Sequence, residues 1–129
     1  MKETYKSYLK EISAFIPRER IYTDEMRRLA WGTDASFYRL VPQIVVRSKT
    51  EEEVSRLLSA ARRRRLPVTF RAAGTSLSGQ SLSDSILIVA GKNWENYKIS
   101  ADAETITMQP GIIGERVNQL LKPFGRIFT

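Results

Sequence analysis

IVVRSKTEEEVSRLLSAARRRRLPVTFRAAGTSLSGQSLSDSILIVA, residues 44–90, is the stretch that decides the fold. It alternates between short apolar segments and one longer amphipathic segment. Residues 44–46 and 67–70 are predicted strands, and residues 86–90 form a third that is too apolar to be anything but buried. Thr50 followed three residues later by Glu53 is a capping box. The box predicts a helix whose inner face carries Val54, Leu57, Leu58 and Ala61.

Two helices are predicted ahead of this stretch. The first ends at Pro17 and has an apolar stripe with helical spacing, made of Tyr5, Tyr8, Leu9, Ile12 and Ile16. A short second helix starts at Thr23, has Asp24 and Glu25 in its first turn and ends before Gly32. Its apolar side consists of Met26, Leu29 and Ala30. Residues 33–42 then form a connector into the first strand.

A hairpin and a final helix are predicted after residue 90. Residues 97–99 and 105–108 are the two strands of the hairpin. The helix follows Gly114, ends at Gly125 and buries Val117, Leu120, Leu121 and Phe124. The whole order predicts an α+β fold with a mixed sheet and flanking helices. We divide the chain into a helical segment with connector at 1–41 and a domain at 42–129. An apolar restart at 126–129 predicts the beginning of a further strand and a domain truncated at its C-terminus.

Composition narrows the chemistry. With 129 residues the chain is about one domain. It has no cysteine and no histidine, which excludes disulfides, Ser-His and Cys-His catalysis and the usual zinc ligands. We predict no metal site. No apolar run has the length of a membrane span, and no signal peptide is evident. We therefore expect a cytoplasmic protein, with peripheral association at the inner face of the membrane left open.

The net charge of +7 and the run at residues 62–65, four consecutive arginines, raise the question of a polyanionic partner. A solvated helix end is the interpretation we favour, because cations are stabilising there. No aromatic platform for nucleic acid accompanies the run. We expect no nucleic-acid partner, and a small basic module that binds nucleic acid or another polyanion stays as the alternative function.

The loop at residues 71–81 is the strongest functional feature. Gly74 and Gly79 permit positive φ and a close approach of a ligand to the backbone. Successive N–H groups in such turns form anion sites, and hydroxyl groups and Arg71 add further donors. The loop is one residue away from G-x-x-x-x-G-K-[ST], but Gln80 replaces the lysine and a strand follows instead of a helix. The G-x-G-x-x-G fingerprint is absent. A phosphate or pyrophosphate suits the loop, and a plain surface connector is the alternative.

Several ordered segments resemble one family. They are TDASFYR at 33–39, PQIVV at 42–46 with EEEV at 51–54, the loop itself, QPG at 109–111, VNQLL at 117–121 and the pair Phe124-Gly125. Together they are similar to the FAD-binding domain of the vanillyl-alcohol oxidase and p-cresol methylhydroxylase superfamily. The nearest likeness is to FAD-linked D-lactate dehydrogenases and glycolate oxidase subunits, over residues 33–129. The resemblance implies the first subdomain of that FAD-binding fold.

The resemblance also implies cofactor contacts. The residues that would wrap the FAD pyrophosphate are Arg71, Ala72, Ala73, Gly74, Thr75, Ser76, Gly79, Gln80 and Ser81. Thr75 stands where some relatives carry a histidine that binds FAD covalently, so we expect non-covalent FAD. The pair Pro110-Gly111 matches a family motif, and a turn is favoured over a flavin contact. For three further residues, Asp34, Ser36 and Tyr38, a structural role is favoured over lining a site, since Asp and Ser are common in N-caps and turns. Both tryptophans, Trp31 and Trp94, are interpreted as packing residues.

The activity that the resemblance implies is oxidation of a 2-hydroxy acid, such as D-lactate or glycolate, by hydride transfer to the flavin. The substrate would bind through a domain outside this chain. Electrons would pass to a protein acceptor or a quinone, and an iron-sulfur centre would lie outside this chain or in a partner. The catalytic residues stay unknown, and we expect the 129-residue chain to be inactive on its own.

Overall fold

The computed structural model describes all of residues 1–129. In chain order the regular elements are α1 (Glu3–Ile12), β1 (Ile21–Tyr22), α2 (Glu25–Ala30), β2 (Ile44–Arg47), α3 (Glu51–Arg63), β3 (Val68–Arg71), β4 (Ile86–Val89), β5 (Tyr97–Ile99), β6 (Ile106–Met108) and α4 (Gly114–Leu121). Short 3-10 turns at Arg18–Arg20 and Lys122–Phe124 complete the set. None of the helices has the length and apolar character of a membrane span.

The main sheet is mixed and has four strands in the order β1-β2-β4-β3. Strands β2, β4 and β3 are parallel, with Ile44 and Val68 both opposite Ile86. Strand β1 joins the edge of β2 in antiparallel orientation, with Ile21 opposite Val46. Strands β5 and β6 form a separate antiparallel pair. The predicted α+β class with a mixed sheet and flanking helices is confirmed.

One face of the main sheet carries the larger core. Helices α1 and α3 cover it, and the side chains that they share with the sheet include Tyr8, Ile12, Ile44, Val46, Leu57, Ala60, Ala61, Ile86 and Ile88. Helix α3 begins as predicted, because the Thr50 hydroxyl accepts a hydrogen bond from the Glu53 N–H at 3.1 Å. The prediction for Leu58 is wrong: it is 39% exposed. Ala60 is buried in its place, because the inner stripe follows 57, 60 and 61.

The opposite face carries a smaller core. Val45, Leu87 and Val89 pack there against Tyr22 and Trp31. This face lies on the side of the sheet from which α1 and α3 are absent, since neighbouring strand residues alternate between faces. The chain after α2 therefore runs over this side of the sheet. The Arg71 side chain, at the end of β3, lies on the same side, next to Trp31.

The N-terminal residues share the sheet and core with the later elements. Strand β1, which sequence reasoning missed, contributes Ile21 to the larger core. Arg20 and Glu53 form a bidentate ion pair at 2.7 and 2.8 Å, which links the start of β1 to α3. The Arg20 hydrogen bond lowers the pKa of the Glu53 carboxyl. The division between residues 41 and 42 stays a prediction.

The predicted second helix is short and its apolar side chains lie in solvent. It begins at the Asp24 cap, where the carboxylate accepts the Arg27 N–H. Met26 is 81% exposed, so the predicted apolar side is wrong for this residue. With only six residues, α2 makes about 1.7 turns. Its C-terminal end, Trp31, is the part that packs on the sheet.

The C-terminal third follows the prediction in outline. Helix α4 buries Val117 and Leu121, and Gly125 with φ of 64° ends the turn after it. Phe124 is 52% exposed, against expectation. Residues 126–129 form no strand; instead, the Phe128 N–H donates to the Asn118 side-chain oxygen at 2.8 Å. A strand needs a neighbour to pair with, and these four residues have none.

Arginines of the run at 62–65 join the C-terminal end of α3 to α1. Arg63 and Arg64 both pair with Glu11, and the Arg64 guanidinium also donates to the Ser7 carbonyl. These contacts, with the Arg64 hydrogen bond first, lower the pKa of the Glu11 carboxyl. The helix-end interpretation of the run therefore accounts for two of its arginines.

No group of acidic side chains is arranged to hold a metal ion.

Candidate functional site

The loop at residues 71–81 begins the connection between two neighbouring parallel strands. Parallel neighbours cannot be joined by a tight turn, so the chain must return from the end of β3 to the start of β4. The loop therefore starts at the carboxyl edge of β2, β4 and β3, where ligands bind in open parallel sheets. The connection ends at Ser85, whose carbonyl accepts the Gln43 N–H at 2.8 Å.

Two residues of the loop adopt the left-handed conformation. Gly74 has φ of 72° and Gly79 has φ of 74°. A Cβ at Gly74 would lie 2.4 Å from the Arg71 guanidinium, and a Cβ at Gly79 would lie 3.0 Å from the Tyr38 ring. Both positions thus require glycine for conformation and for space.

The second half of the loop is organised by one hydroxyl group. Ser76 Oγ accepts hydrogen bonds from the N–H groups of Ser78 and Gln80, each at 3.2 Å. The same hydroxyl lies 3.1 Å from Gln80 Oε1 and donates to it. The Leu82 N–H then donates to the Gly79 carbonyl at 3.2 Å. The Ser76 hydroxyl proton is therefore used inside the loop.

The first half of the loop leaves its backbone donors free. No hydrogen bond within the chain uses the N–H groups of residues 72–77. Ala72, Ala73 and Thr75 are exposed. A run of unpaired N–H groups beside a left-handed glycine is the arrangement that binds anions in backbone nests. The residues present therefore fit a phosphate group.

Arg71 is tied to the connector rather than free in solvent. Its Nη1 donates to the Thr33 carbonyl at 2.7 Å and to the Trp31 carbonyl at 3.3 Å. The guanidinium carbon lies 5.1 Å from the centre of the Trp31 ring. Its Nε is buried and has no partner within the chain. Burial lowers the pKa of Arg71, and the Asp34 carboxylate opposes that shift.

Asp34 joins the connector to the far end of the loop. Its Oδ1 accepts the Ser36 N–H at 2.8 Å and the Ser36 hydroxyl, and its Oδ2 accepts the Ser81 hydroxyl at 3.0 Å. These bonds, with the Ser36 hydroxyl first, lower the pKa of Asp34. The Ala35 N–H donates to the Gly74 carbonyl at 3.2 Å. Sequence reasoning interpreted Asp34 as a turn residue and missed its bond to Ser81, because a contact across 47 residues leaves no local pattern.

Residues 31–38 therefore support the loop at several points, and we call them the brace. Its contacts are Trp31 and Thr33 on Arg71, Ala35 on Gly74, Tyr38 on Gly79 and Asp34 on Ser81. All nine predicted site residues lie on one continuous loop that the brace holds at its start, middle and end. Whether they contact a cofactor stays a prediction.

Two other features of the sequence have structural roles. Trp94 is 7% exposed, and its indole N–H donates to the Ser48 carbonyl at 3.0 Å. A Cβ at Gly111 would lie 2.2 Å from the Gly91 carbonyl oxygen, and the Gly111 N–H donates to the Trp94 carbonyl at 2.8 Å. The geometry thus favours the turn interpretation of Pro110-Gly111 and the packing interpretation of Trp94.

Comparisons with known proteins agree on one family. The family described as FAD binding domain matches residues 42–129. D-2-hydroxyglutarate dehydrogenases of Pseudomonas putida and Escherichia coli are 29% and 32% identical over 97% and 79% of this chain. The glycolate oxidase subunit GlcD of Escherichia coli is 33% identical over 81% of it. The chain spans 13%, 10% and 21% of the lengths of these relatives.

Solved structures show the same fold. An alkyldihydroxyacetonephosphate synthase superposes with a TM-score of 0.76 at 19% identity, over 94% of this chain and 25% of that one. A p-cresol methylhydroxylase with bound substrate gives a TM-score of 0.74 at 10% identity, over 97% of this chain and 26% of that one. The chain therefore belongs to the FAD-binding domain family and has the fold of p-cresol methylhydroxylase-type flavoenzymes.

Proposed function

We propose that residues 71–81 bind the pyrophosphate of non-covalent FAD in an oxidoreductase that dehydrogenates a 2-hydroxy acid. The observation that carries the proposal is the run of free N–H groups at 72–77 beside the left-handed Gly74. A pyrophosphate is anionic and accepts several hydrogen bonds at once, so it matches these donors. When bound, FAD would supply hydride acceptance, and the loop would supply binding and orientation.

Non-covalent attachment is supported by residue types. The chain has neither histidine nor cysteine, and Thr75 occupies the position where covalent relatives carry histidine. Thr75 is exposed on the loop, and its hydroxyl takes part in no hydrogen bond within the chain, which leaves it available to a phosphate oxygen. The same is true of the Ser78 hydroxyl. These two side chains are the hydroxyl donors that the loop does not consume itself.

The substrate class is supported by the relatives. Their names are D-2-hydroxyglutarate dehydrogenase and glycolate oxidase subunit, and both D-2-hydroxyglutarate and glycolate are 2-hydroxy acids. The loop region of this chain offers no histidine to take the hydroxyl proton. We propose that the substrate and its proton acceptor bind to parts of the protein outside residues 1–129, and that this chain alone is not catalytic. Electrons would continue to a protein acceptor or quinone.

Calorimetric titration of the 129-residue chain with three probes tests the cofactor site. FAD and ADP contain a pyrophosphate, whereas riboflavin contains the flavin ring and no phosphate. We expect FAD and ADP to bind and riboflavin to give no detectable heat at the same concentrations. Riboflavin binding as tight as FAD, with none for ADP, would contradict a pyrophosphate site.

Acid precipitation of the full-length gene product tests the attachment. Non-covalent FAD is released into the supernatant, whereas covalent flavin stays in the pellet. With the same holoprotein, bleaching of the flavin absorbance by D-2-hydroxyglutarate, D-lactate or glycolate would identify the substrate class. A holoprotein whose flavin none of these 2-hydroxy acids reduces would remove the substrate proposal and leave the FAD site intact.

A further inference from the structure

We infer that Asp34 is a positioning residue for the cofactor loop: its carboxylate accepts the hydrogen bond of the Ser81 hydroxyl and thereby fixes the loop for pyrophosphate. The inference rests on the proposed function, because it concerns how the same loop reaches its binding conformation. It assigns to Asp34 and Ser81 a joint role that neither the loop motif nor the family match specifies.

The side chain of Ser81 has only one hydrogen to donate, and Asp34 accepts it. A serine hydroxyl carries one proton, and Ser81 Oγ donates it to Asp34 Oδ2 at 3.0 Å. Ser81 is 9% exposed, so water competes little for this bond. The Ser81 side chain therefore has no proton left for a phosphate oxygen. Ser81 can therefore donate to the pyrophosphate only through its backbone N–H, which makes no hydrogen bond within the chain.

Asp34 carries a negative charge beside the loop. A carboxylate close to a pyrophosphate would repel it, unless the carboxylate were neutralised by its surroundings. Asp34 accepts hydrogen bonds from the Ser36 N–H, the Ser36 hydroxyl and the Ser81 hydroxyl, and the cationic Arg71 lies near enough to lower the pKa of Asp34 further. Both oxygens of the carboxylate thus have hydrogen-bond donors, and the nearby Arg71 partly offsets its charge.

The other hydrogen bonds between the brace and the loop lie at the first half of the loop. The Ala35 N–H holds the Gly74 carbonyl, and Arg71 holds the Thr33 carbonyl, so both anchor the first half of the loop. At the far end, Asp34 makes the single hydrogen bond between the brace and residues 79–81. Without it, no hydrogen bond joins the brace to that end of the loop. Asp34 is consequently the polar link that fixes the distance between the two ends of the loop.

A mutant cycle with ADP as the probe tests this role in the 129-residue chain. We expect Asp34→Ala and Ser81→Ala each to weaken ADP binding by about tenfold, the size of one hydrogen bond to a charged group. The double variant should lose no more than Asp34→Ala alone, since the bond from Ser81 is already absent in that variant. Asp34→Asn should stay within about threefold of the parent, because its amide oxygen can accept from Ser36 and its NH2 group can donate to Ser81.

Asp102→Ala is the matched control. Asp102 accepts the Ser100 hydroxyl at 2.5 Å and the Glu104 N–H at 3.1 Å, as Asp34 accepts from Ser36, but it lies in the β5–β6 hairpin. Its removal should leave ADP affinity unchanged. Should Asp34→Ala fail to fold, Ser81→Ala carries the test, because it leaves the Asp34–Ser36 turn in place.

The outcomes separate the two proposals. A parent chain that binds neither ADP nor FAD, in a full-length product that also lacks flavin, overturns the proposed function. A parent chain that binds ADP while Asp34→Ala and Ser81→Ala bind it equally well overturns the positioning role alone. So does an additive double variant, which would mean that the two residues act independently. Failure of Asp34→Asn to restore affinity would show that the carboxylate charge, and not the hydrogen bond, is what matters.

Discussion

The loop at 71–81 and the hairpin turn at 100–105 are built from the same kinds of residue but differ in how many of their backbone donors are used within the chain. Both contain serine hydroxyls that accept N–H groups, and both include a residue with positive φ, glycine in the loop and Ala103 at 56° in the turn. In the turn, the N–H groups of Ser100, Ala103, Glu104 and Thr105 donate within the chain, and those of Ala101 and Asp102 do not.

The loop, in contrast, leaves the N–H groups of residues 72–77 without an acceptor in the chain. Backbone donors that are not paired internally are normally satisfied by water or a ligand. The difference therefore separates a turn that uses most of its donors to reverse the chain from a loop whose donors are open to water or a ligand. Residue composition does not reveal this difference, and the pattern of hydrogen bonds does.

Gly111→Ala should have the largest effect, and on stability. Its Cβ would meet the backbone oxygens of Gly91 and Trp94 at 2.2 and 2.6 Å, and backbone atoms cannot move aside cheaply. We expect a loss of about 3 kcal/mol in the free energy of unfolding, at the upper end for overpacking. Urea denaturation measures it.

Gly114→Ala is the control for this change, because a Cβ there meets nothing within 4 Å. It should shift the unfolding free energy by less than about 0.5 kcal/mol, as for a surface substitution. If both variants unfold at the same urea concentration as the parent, the close contact of Gly111 with the carbonyl groups of Gly91 and Trp94 is contradicted.

Gly79→Ala should affect both stability and ligand binding. The left-handed conformation at φ of 74° costs an alanine about 1–2 kcal/mol, and the new methyl group would press on the Tyr38 ring at 3.0 Å. The loop should relax away from its present conformation, so we expect ADP affinity to fall by at least tenfold. Thermal unfolding and calorimetric titration of one sample measure the two effects.

Gly125→Ala separates conformational strain from ligand binding. Gly125 also has positive φ, at 64°, but a Cβ there would meet nothing within 4 Å. We expect a stability loss of about 1 kcal/mol from the same strain and unchanged ADP affinity. Equal losses of ADP affinity in both variants would mean that the loop has no special part in binding.

Much of this fold was predictable because its central elements have strong local patterns. The capping box at Thr50 and Glu53 and the apolar run of β4 predicted their elements correctly, since both signals are contained within a few residues. Strand β1 was missed because its two residues acquire their strand character only by pairing with Val45 and Val46. Leu58 was placed wrongly, because periodicity alone does not say which side of an apolar stripe the sheet covers.

The site divides in the same way. The loop itself was predicted, because glycines and hydroxyl residues between two apolar strands form a local signal. The brace was not, because the contacts of Arg71 with Thr33 and of Asp34 with Ser81 join residues 38 and 47 positions apart. Such contacts depend on the order of strands in the sheet, which brings the connector over the same face as the loop.

Ser76→Ala should have a smaller effect, mainly on binding. The hydroxyl accepts two N–H groups and orders residues 76–80. Its loss should cost about 1 kcal/mol and weaken ADP binding several-fold, as measured by titration. Ser100→Ala removes a comparable acceptor from the hairpin turn, where Ser100 Oγ accepts the Thr105 N–H at 3.1 Å. It should lose as much stability as Ser76→Ala and leave ADP affinity at the parent value. A loss of ADP affinity in Ser100→Ala would mean that the effect on binding is not specific to the loop.

The smallest effect is the response to acid, and it should be the same in both regions. Hydrogen bonds, from the Ser36 and Ser100 hydroxyls first, lower the folded-state pKa values of Asp34 and Asp102. Their contribution to stability is thus present above the unfolded-state pKa of about 3.9 and is lost as the pH falls through the lower folded-state value. The side chains of Asp34→Asn and Asp102→Asn cannot titrate, so each variant should be slightly less stable than the parent at neutral pH. The difference in stability between parent and variant, here called the gap, should narrow for both variants below about pH 4. Thermal unfolding across that range measures the gaps. A gap that stays constant in acid for Asp34 alone would mean that its carboxylate is not held by these donors. Equal narrowing would show that loop and turn hold their carboxylates alike and differ in their backbone donors.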